Sequence, residues 1–271
     1  MFGRRRFEVK TAGQLQRMRE AGLVVAQALT AAARAVQPGV TTAELDEVSA
    51  SVIAEAGALP SFLGYHGYPA HVCVSVNDEV IHGIPGPRVL APGDLVSIDC
   101  GAIVQGWHGD AAVTVVCGGR TDDASARLSE VTEAALWAGI AAARVGATIG
   151  DVGHAIAERV AAAGTGYGIV DGFTGHGIGS AMHMTPDVPN VGRPGRGPRL
   201  VAGMAIAIEP MITLAGDDTD TLDDGWTVVT TTGVRAAHWE HTVVVTPAGP
   251  WVTTAPDGGG LADDVALASF G

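Results

Sequence analysis

The stretch SIDCGAIVQGWHGDAAVTV, residues 97 to 115, constrains this chain more tightly than any other. Its period-two alternation is that of a buried strand, yet it carries carboxylates at Asp99 and Asp110. An unpaired buried carboxylate costs several kcal/mol unless it takes up a proton, a partner or a metal. A hairpin turning at Gln105-Gly106 puts the two aspartates on neighbouring strands, opposite each other to within about one position. Aspartates on a solvated face would need no compensation, but Ile98, Ala111, Val113 and Val115 do not make a wet surface. A shared divalent cation removes the conflict, because it turns mutual repulsion into joint coordination.

Further donors are then expected on later strands and loops. FTGHGIG offers His176 in a glycine-flanked loop, where small residues let a metal and a substrate approach the backbone. AIAIEPMI places Glu209 in an apolar strand, and AHWEHTVVV does the same with Glu240. Four carboxylates and one imidazole carry too much charge for one ion and suit a pair of them. The oxygen-rich set favours Mn²⁺, Fe²⁺ or Co²⁺ over a thiolate-type zinc site. Two such ions about 3.5 to 4 Å apart lower the pKa of a shared water and polarise a carbonyl, which is the chemistry of a hydrolase.

Composition narrows the classes that remain. The 271 residues include 16 Lys plus Arg against 29 Asp plus Glu, a formal net charge of -13, so a broad phosphate-binding surface and direct nucleic-acid binding are not expected. Three cysteines, Cys73, Cys100 and Cys117, have no C-x-x-C spacing and fit neither a disulfide framework nor a structural zinc site. A reducing cytoplasm is the expected location. The N-terminal GRRRFEVK followed by AGLVVAQALTAAARAV has the look of a twin-arginine export signal. Against that, Arg34 interrupts the apolar segment, and Leu15, Met18, Val25, Leu29, Ala32 and Val36 recur near helical spacing, as in a docked amphipathic helix. No apolar run reaches bilayer-spanning length, so no membrane partner is expected.

The spacing predicts a helix from about Ala12 to Val36, ended by QPGV, and a second over TTAELDEVSASVIAEAG with Thr42 as N-cap and Gly57 at its C-terminal end. Strand-like runs fill Pro60 to Cys117. Two more helices, TDDASARLSEVTEAALWAGIAAARVG and TIGDVGHAIAERVAAAG, precede the strands MAIAIEPMITL, WTVVTTTG and AAHWEHTVVVTP. A helix pair followed by strands, twice over, suggests two similar halves. The chain is expected to form one α+β catalytic domain over residues 1–271, with about residues 1–11 a flexible N-terminal segment and about residues 256–271 a loose tail.

GYHGYP, VNDEVIHGIP, SIDCGAIVQGWHGD, GHGIGSAMH, IEPM and WEHT, in this order and spacing, closely resemble the methionine aminopeptidases, which remove initiator methionine from new proteins. The resemblance runs from the first helix to about Pro247. It implies the pita-bread fold, two pseudo-symmetric halves of antiparallel sheet covered by helices around a central site. It implies that Asp99, Asp110, His176, Glu209 and Glu240 hold two divalent metal ions, Co, Mn or Fe(II). Asp110 and Glu240 would bridge, Asp99 would bind mainly one ion, and His176 and Glu209 would belong to the other. A short Glu209-to-Glu240 interval, without the long helical insertion of type II members, resembles the bacterial type I form.

The mechanism expected from this resemblance is attack of a metal-bridging hydroxide on the first peptide bond, with Glu209 shuttling the proton. The catalytic set is completed by His82, near the scissile amide, and His183, on a substrate carbonyl. The methionine pocket is implied to be Tyr65, Tyr68, Cys73, Met182 and Trp226, with Phe62 at its edge, an apolar lining suited to a soft, unbranched thioether. Phe62 stands where a small residue or cysteine is often seen, and Met182 where an aromatic is common. His238, two residues before Glu240, shares its face by strand alternation and replaces a more usual glutamine; it is close enough to tune the metals. Cys100 should point away from the site. The acidic loop AGDDTDTLDDGW, including residues 216–224, reads as solvated.

Expected substrates are nascent polypeptide N-termini with small second residues, and the chain is expected to act as a monomer. The Arg4 to Arg6 cluster offers a handle for transient ribosome contact, and reads more simply as a flexible basic end. Two alternatives share the fold: an Xaa-Pro aminopeptidase, which usually carries an extra N-terminal domain, and a catalytically silent binding protein, which loss of ligands and a basic surface would mark.

Overall fold

The computed structural model describes residues 7–270. Helix α1 (Ala12–Ala35) opens on a capping box in which Thr11 accepts from the Gln14 amide and the Gln14 side chain accepts from the Thr11 amide. Helix α2 (Thr42–Glu55) is capped by Thr41, not by Thr42 as the sequence suggests. The reciprocal box needs the residue three before Glu44, and Thr42 instead spends its hydroxyl on both backbone groups of Gly86. Helices α3 (Asp123–Ala142) and α4 (Ile149–Ala161) form the second pair, with Asp122 and Thr148 at their N-caps.

One nine-stranded antiparallel sheet joins the two halves. Its first half is the hairpin of Leu95–Val104 and Trp107–Val116, flanked by Val72–Val76 and Leu59–Pro60. The second half comprises Glu240–Thr246, Ala205–Ile208, Gly175–Gly177 and Met184–Val188, with Gly249–Val252 on Glu240–Thr246. The seam is narrow: Glu240 stands opposite Ala112 and His241 opposite Ala111. One apolar core lies between α1, α2 and the first half, around Val25, Leu45, Val74 and Ile98. Another lies between α3, α4 and the second half, around Leu136, Ile156, Ile206 and Val243. Two three-stranded sheets complete the rim of the site.

Glycine lets α1 lie directly on the hairpin. A Cβ on Gly109 would stand 2.7 Å from the backbone nitrogen of Gly22 in α1, closer than any side chain tolerates.

The described residues near both ends make tertiary contacts. The six N-terminal residues, with Arg4, Arg5 and Arg6, lie outside the described residues. From residue 7 the segment expected to be flexible is docked: Phe7 packs on the second core, Lys10 is buried and its amide donates to Gly203, and Glu8 accepts from the Ser180 hydroxyl. Within the segment expected to be a loose tail (256–271), the described residues, through 270, make tertiary contacts. Arg19 of α1 is buried and donates to the carbonyls of Thr253, Ala255 and Pro256, and it pairs with Asp263 at the start of α5 (Asp263–Ala268). The Trp251 indole also donates to Asp263, and Ala266 is fully buried.

Candidate metal centre and substrate pocket

The hairpin turns on Gln105 and Gly106, both at positive φ (49° and 83°), the conformation a two-residue hairpin loop demands. Val104 therefore pairs with Trp107, and counting back sets Asp99 opposite Ala112 and Asp110 opposite Gly101. The two aspartates are thus offset by two positions, not one as the sequence reading has it. The difference matters, because an offset of one would send them to opposite faces, whereas two keeps both on the same face. Ala112 is also the partner of Glu240, so Asp99, Ala112 and Glu240 stand in line across three strands. Cys100 points the other way, into the α1–α2 core, as alternation requires.

The remaining donors come from the second half. His176 sits in Gly175–Gly177, and Glu209 follows directly on Ala205–Ile208, where Asn190 holds its backbone carbonyl. Nε2 of His176 lies 3.5 Å from Oε1 of Glu209 and 3.8 Å from Oδ2 of Asp110. Its Nδ1 is 2.9 Å from the Gly177 carbonyl, a contact that fixes the proton on Nδ1 and leaves the Nε2 lone pair facing the carboxylates. His238 falls on the same side as Glu240, with Nε2 3.8 Å from Oε2 of Glu209 and 4.0 Å from Oε2 of Glu240. Two groups of donors close enough to share an ion emerge, Asp110 with His176 and Glu240, and Glu209 with His238 and Glu240.

The electrostatics demand compensation. Burial pushes the Asp99 carboxyl up to about 7. Burial first, and then mutual repulsion, hold Asp110, Glu209 and Glu240 well above the usual carboxylate range. Burial also drives His176 and His238 down to about 3, so both are neutral donors. Buried atoms without a hydrogen-bond partner include Asp99 Oδ1, Asp110 Oδ1, Glu240 Oε1 and His238 Nε2. Orphaned acceptors converging on one cavity are what divalent cations would satisfy, so the residues present fit the metals that the sequence implies.

That cavity, about 190 Å³, is lined on one side by Asp99, Asp110, His176, Glu209 and Glu240, and on the other by every residue expected of the methionine pocket; His238 is not part of the lining and reaches the site through its approach to Glu209 and Glu240. It suits the end of one residue, being smaller than the roughly 300–1,000 Å³ of drug-sized sites. Tyr68 packs edge-on against Trp226 with centroids 5.0 Å apart, and its hydroxyl donates to the Val72 and Gly83 carbonyls. Phe62, Cys73 and Met182 are buried in the same cluster, so Phe62 belongs to the pocket wall. The His82 backbone is left-handed at φ 60°, its ring stands 6.3 Å from Trp226, and burial pushes its pKa down to about 4. The His183 ring lies 4.2 Å from that of His176, with Nδ1 2.7 Å from the Tyr65 hydroxyl.

Ile81, Phe173 and Thr174 also line the cavity and were not anticipated. Their only signal is adjacency to His82 and to the FTGHGIG loop. Nor was Asp224, which accepts from the amides of Trp226 and Thr227 and from the Thr227 hydroxyl, fixing Trp226 in place. The rest of the acidic loop is largely exposed, with Thr219–Thr221 paired to Val228–Thr230 at the rim.

Comparison with known proteins agrees with this geometry. The model of metallopeptidase family M24 matches residues 16–247. The chain is 57% identical over 257 residues to methionine aminopeptidase 1 of Mycobacterium tuberculosis, covering 93% of this chain and 96% of that protein. It is 44% identical to methionine aminopeptidase 1 of Bacillus subtilis, over 89% of this chain and 96% of the relative. The crystal structure of methionine aminopeptidase from Thermotoga maritima superposes with a TM-score of 0.89 at 39% identity, covering 92% and 99% of the two chains. Prolidase from Pyrococcus furiosus, at 22% identity and a TM-score of 0.74, shares the fold alone. The architecture is therefore the pita-bread fold, and divalent metals are implied by the family as well as by the orphaned donors. The chain belongs to metallopeptidase family M24, and within it to the methionine aminopeptidases of bacterial type I.

Proposed function

We propose that this chain removes the initiator methionine from nascent polypeptides whose second residue is small. The observation that carries this reading is a small apolar pocket, Tyr65, Tyr68, Cys73, Met182 and Trp226, opening onto Asp99, Asp110, His176, Glu209 and Glu240 within one cavity. These five residues are assigned to two divalent cations, Mn, Co or Fe(II); Glu240 is common to the donor group of Asp110 and His176 and to that of Glu209 and His238, and Asp99, in neither group, faces the same cavity. When bound, the cations supply Lewis-acid polarisation and an acidified water.

The chain's own residues do the rest. The pocket takes up the methionine side chain and so places the first peptide bond beside the donor residues. Glu209, half-buried beside His176, accepts the proton of the attacking water and returns it to the departing amine nitrogen. His183, oriented by the Tyr65 hydroxyl, donates to a substrate carbonyl oxygen, and His82 contacts the scissile amide. Action as a monomer in the cytoplasm, with transient contact to the ribosome during synthesis, is part of the same proposal. Three free buried cysteines support a reducing compartment. The large exposed apolar side chains are scattered along the chain, which supports a monomer. No described helix is long and apolar enough to cross a membrane.

The test is release of free amino acid from Met-Ala-Ser, Met-Leu-Ser, Leu-Ala-Ser and Ala-Pro-Ser by Mn²⁺- or Co²⁺-loaded protein. Cleavage of Met-Ala-Ser alone is expected. Equal cleavage of Leu-Ala-Ser, preference for Ala-Pro-Ser, or no turnover with either metal would overturn the assignment.

A further inference from the structure

We propose that His238 is itself a metal ligand, a second imidazole donor, through Nε2, to the cation shared by Glu209 and Glu240. The proposal rests on the two-cation reading above and adds to it a nitrogen donor beyond the five residues already assigned.

Three observations carry it. First, His238 is 2% exposed and its Nε2 has no hydrogen-bond partner among the described residues, a state it shares with Asp99 Oδ1, Asp110 Oδ1 and Glu240 Oε1 of the same cluster and, outside the proposed ligands, with Asn190 Oδ1. Leaving such an atom orphaned is unfavourable unless something absent from the chain itself pairs with it.

Second, the spacing is wrong for a direct hydrogen bond and right for a shared ion. Nε2 stands 3.8 Å from Oε2 of Glu209 and 4.0 Å from Oε2 of Glu240. Hydrogen bonds of this type close at about 2.7–3.2 Å, whereas two donors each about 2.1 Å from one ion stand about 3 to 4.2 Å apart.

Third, the ring's aim is set by the backbone. The His238 amide donates to Thr114 Oγ1 at 3.0 Å, and Thr114 Oγ1 donates to the His238 carbonyl at 2.7 Å. These contacts hold the residue at the edge of the site without using the imidazole.

The arrangement gives the Glu209 carboxylate an imidazole on each side, His176 facing Oε1 and His238 facing Oε2. Each donor group then contains one nitrogen and shares Glu240. Exchanging oxygen surroundings for a second imidazole shifts preference toward metals that favour nitrogen, Co²⁺ and Fe²⁺, over Mn²⁺.

Pulsed electron paramagnetic resonance of the Mn²⁺-loaded full chain counts coordinated imidazole nitrogens and needs no turnover. Two coordinated imidazoles are expected in the parent chain and one in His238→Gln. Calorimetric Mn²⁺ and Co²⁺ titrations should show one of the two sites weakened in the variant by at least the roughly 10- to 100-fold seen even when a supporting group is lost. The imidazole count in the parent chain stands even if the variant folds poorly. A parent chain that binds two ions with a single imidazole, unchanged in His238→Gln, would overturn the role of His238 and leave the centre intact. A parent chain that binds no Mn²⁺ or Co²⁺ would overturn the centre itself.

Discussion

The Tyr65 hydroxyl stands 2.7 Å from Nδ1 of His183. Burial pushes the phenol pKa up, so Tyr65 stays a neutral hydroxyl; in the tautomer where it donates to Nδ1, Nε2–H of His183 is the group that meets substrate. Tyr65→Phe keeps the ring on the pocket and removes only this orientation. Turnover of Met-Ala-Ser should fall by about 2- to 10-fold, the worth of one hydrogen bond, with KM nearly unchanged. Steady-state kinetics check this, and an unchanged kcat would show that the hydroxyl does not orient His183.

Asp224 acts on the pocket through Trp226, which it anchors by an amide contact of 2.8 Å. In Asp224→Ala the indole loses its fixed position while the proposed ligands are untouched. KM for Met-Ala-Ser should rise by about 3- to 10-fold with metal stoichiometry intact. Asp224→Asn, which retains one acceptor oxygen, should restore part of the loss.

Metal-free protein should lose stability as pH rises above neutrality. Asp99, at about 7, and Asp110, Glu209 and Glu240, all raised, hold more protons folded than unfolded, so raising the pH through their folded values destabilises the native state. His176 and His238, lowered to about 3, act oppositely, but only below the unfolded histidine value of about 6.5. Between about pH 6.5 and 8.5 the carboxylates act alone, and the Tm of chelated protein should fall across that window. Mn²⁺ at a hundred times its Kd should add about 2.7 kcal/mol and flatten the slope. A Tm independent of pH in the chelated protein would contradict the buried carboxylate cluster.

Gly109→Ala tests the seating of α1 on the hairpin. The added methyl meets the backbone of Gly22 and Ala21, neither of which can yield without moving the helix. Destabilisation of about 1–3 kcal/mol is expected, read as a lower denaturant midpoint.

The four carboxylates stand out in the sequence because each sits in an otherwise apolar segment and poses the same burial problem, whereas His176 is marked only by its glycine flanks. The pairing of helices and strands was equally plain from periodicity. The offset of Asp99 from Asp110 required the turn geometry, since a two-residue loop with both residues at positive φ sets the register of the whole hairpin. The contacts that tie the described C-terminal residues to α1 leave no local signal in the sequence. Arg19 looks like a solvated helix position, and its partner Asp263 lies 244 residues away, a separation no local pattern reports. The position of His238 was legible from its spacing to Glu240, but the lack of any partner for its Nε2 belongs to the folded chain.

The central claim is that ions held by these buried carboxylates make the apolar pocket an aminopeptidase site. Its most direct test is methionine release from Met-Ala-Ser during titration of chelated protein with Mn²⁺, in parallel with Asp110→Asn. Release should be absent without metal, rise with added Mn²⁺, and stay at least about 100-fold lower in the variant, as when a group stabilising the transition state is removed. Full activity in the chelated protein, or in Asp110→Asn at the same Mn²⁺ concentration, would contradict it.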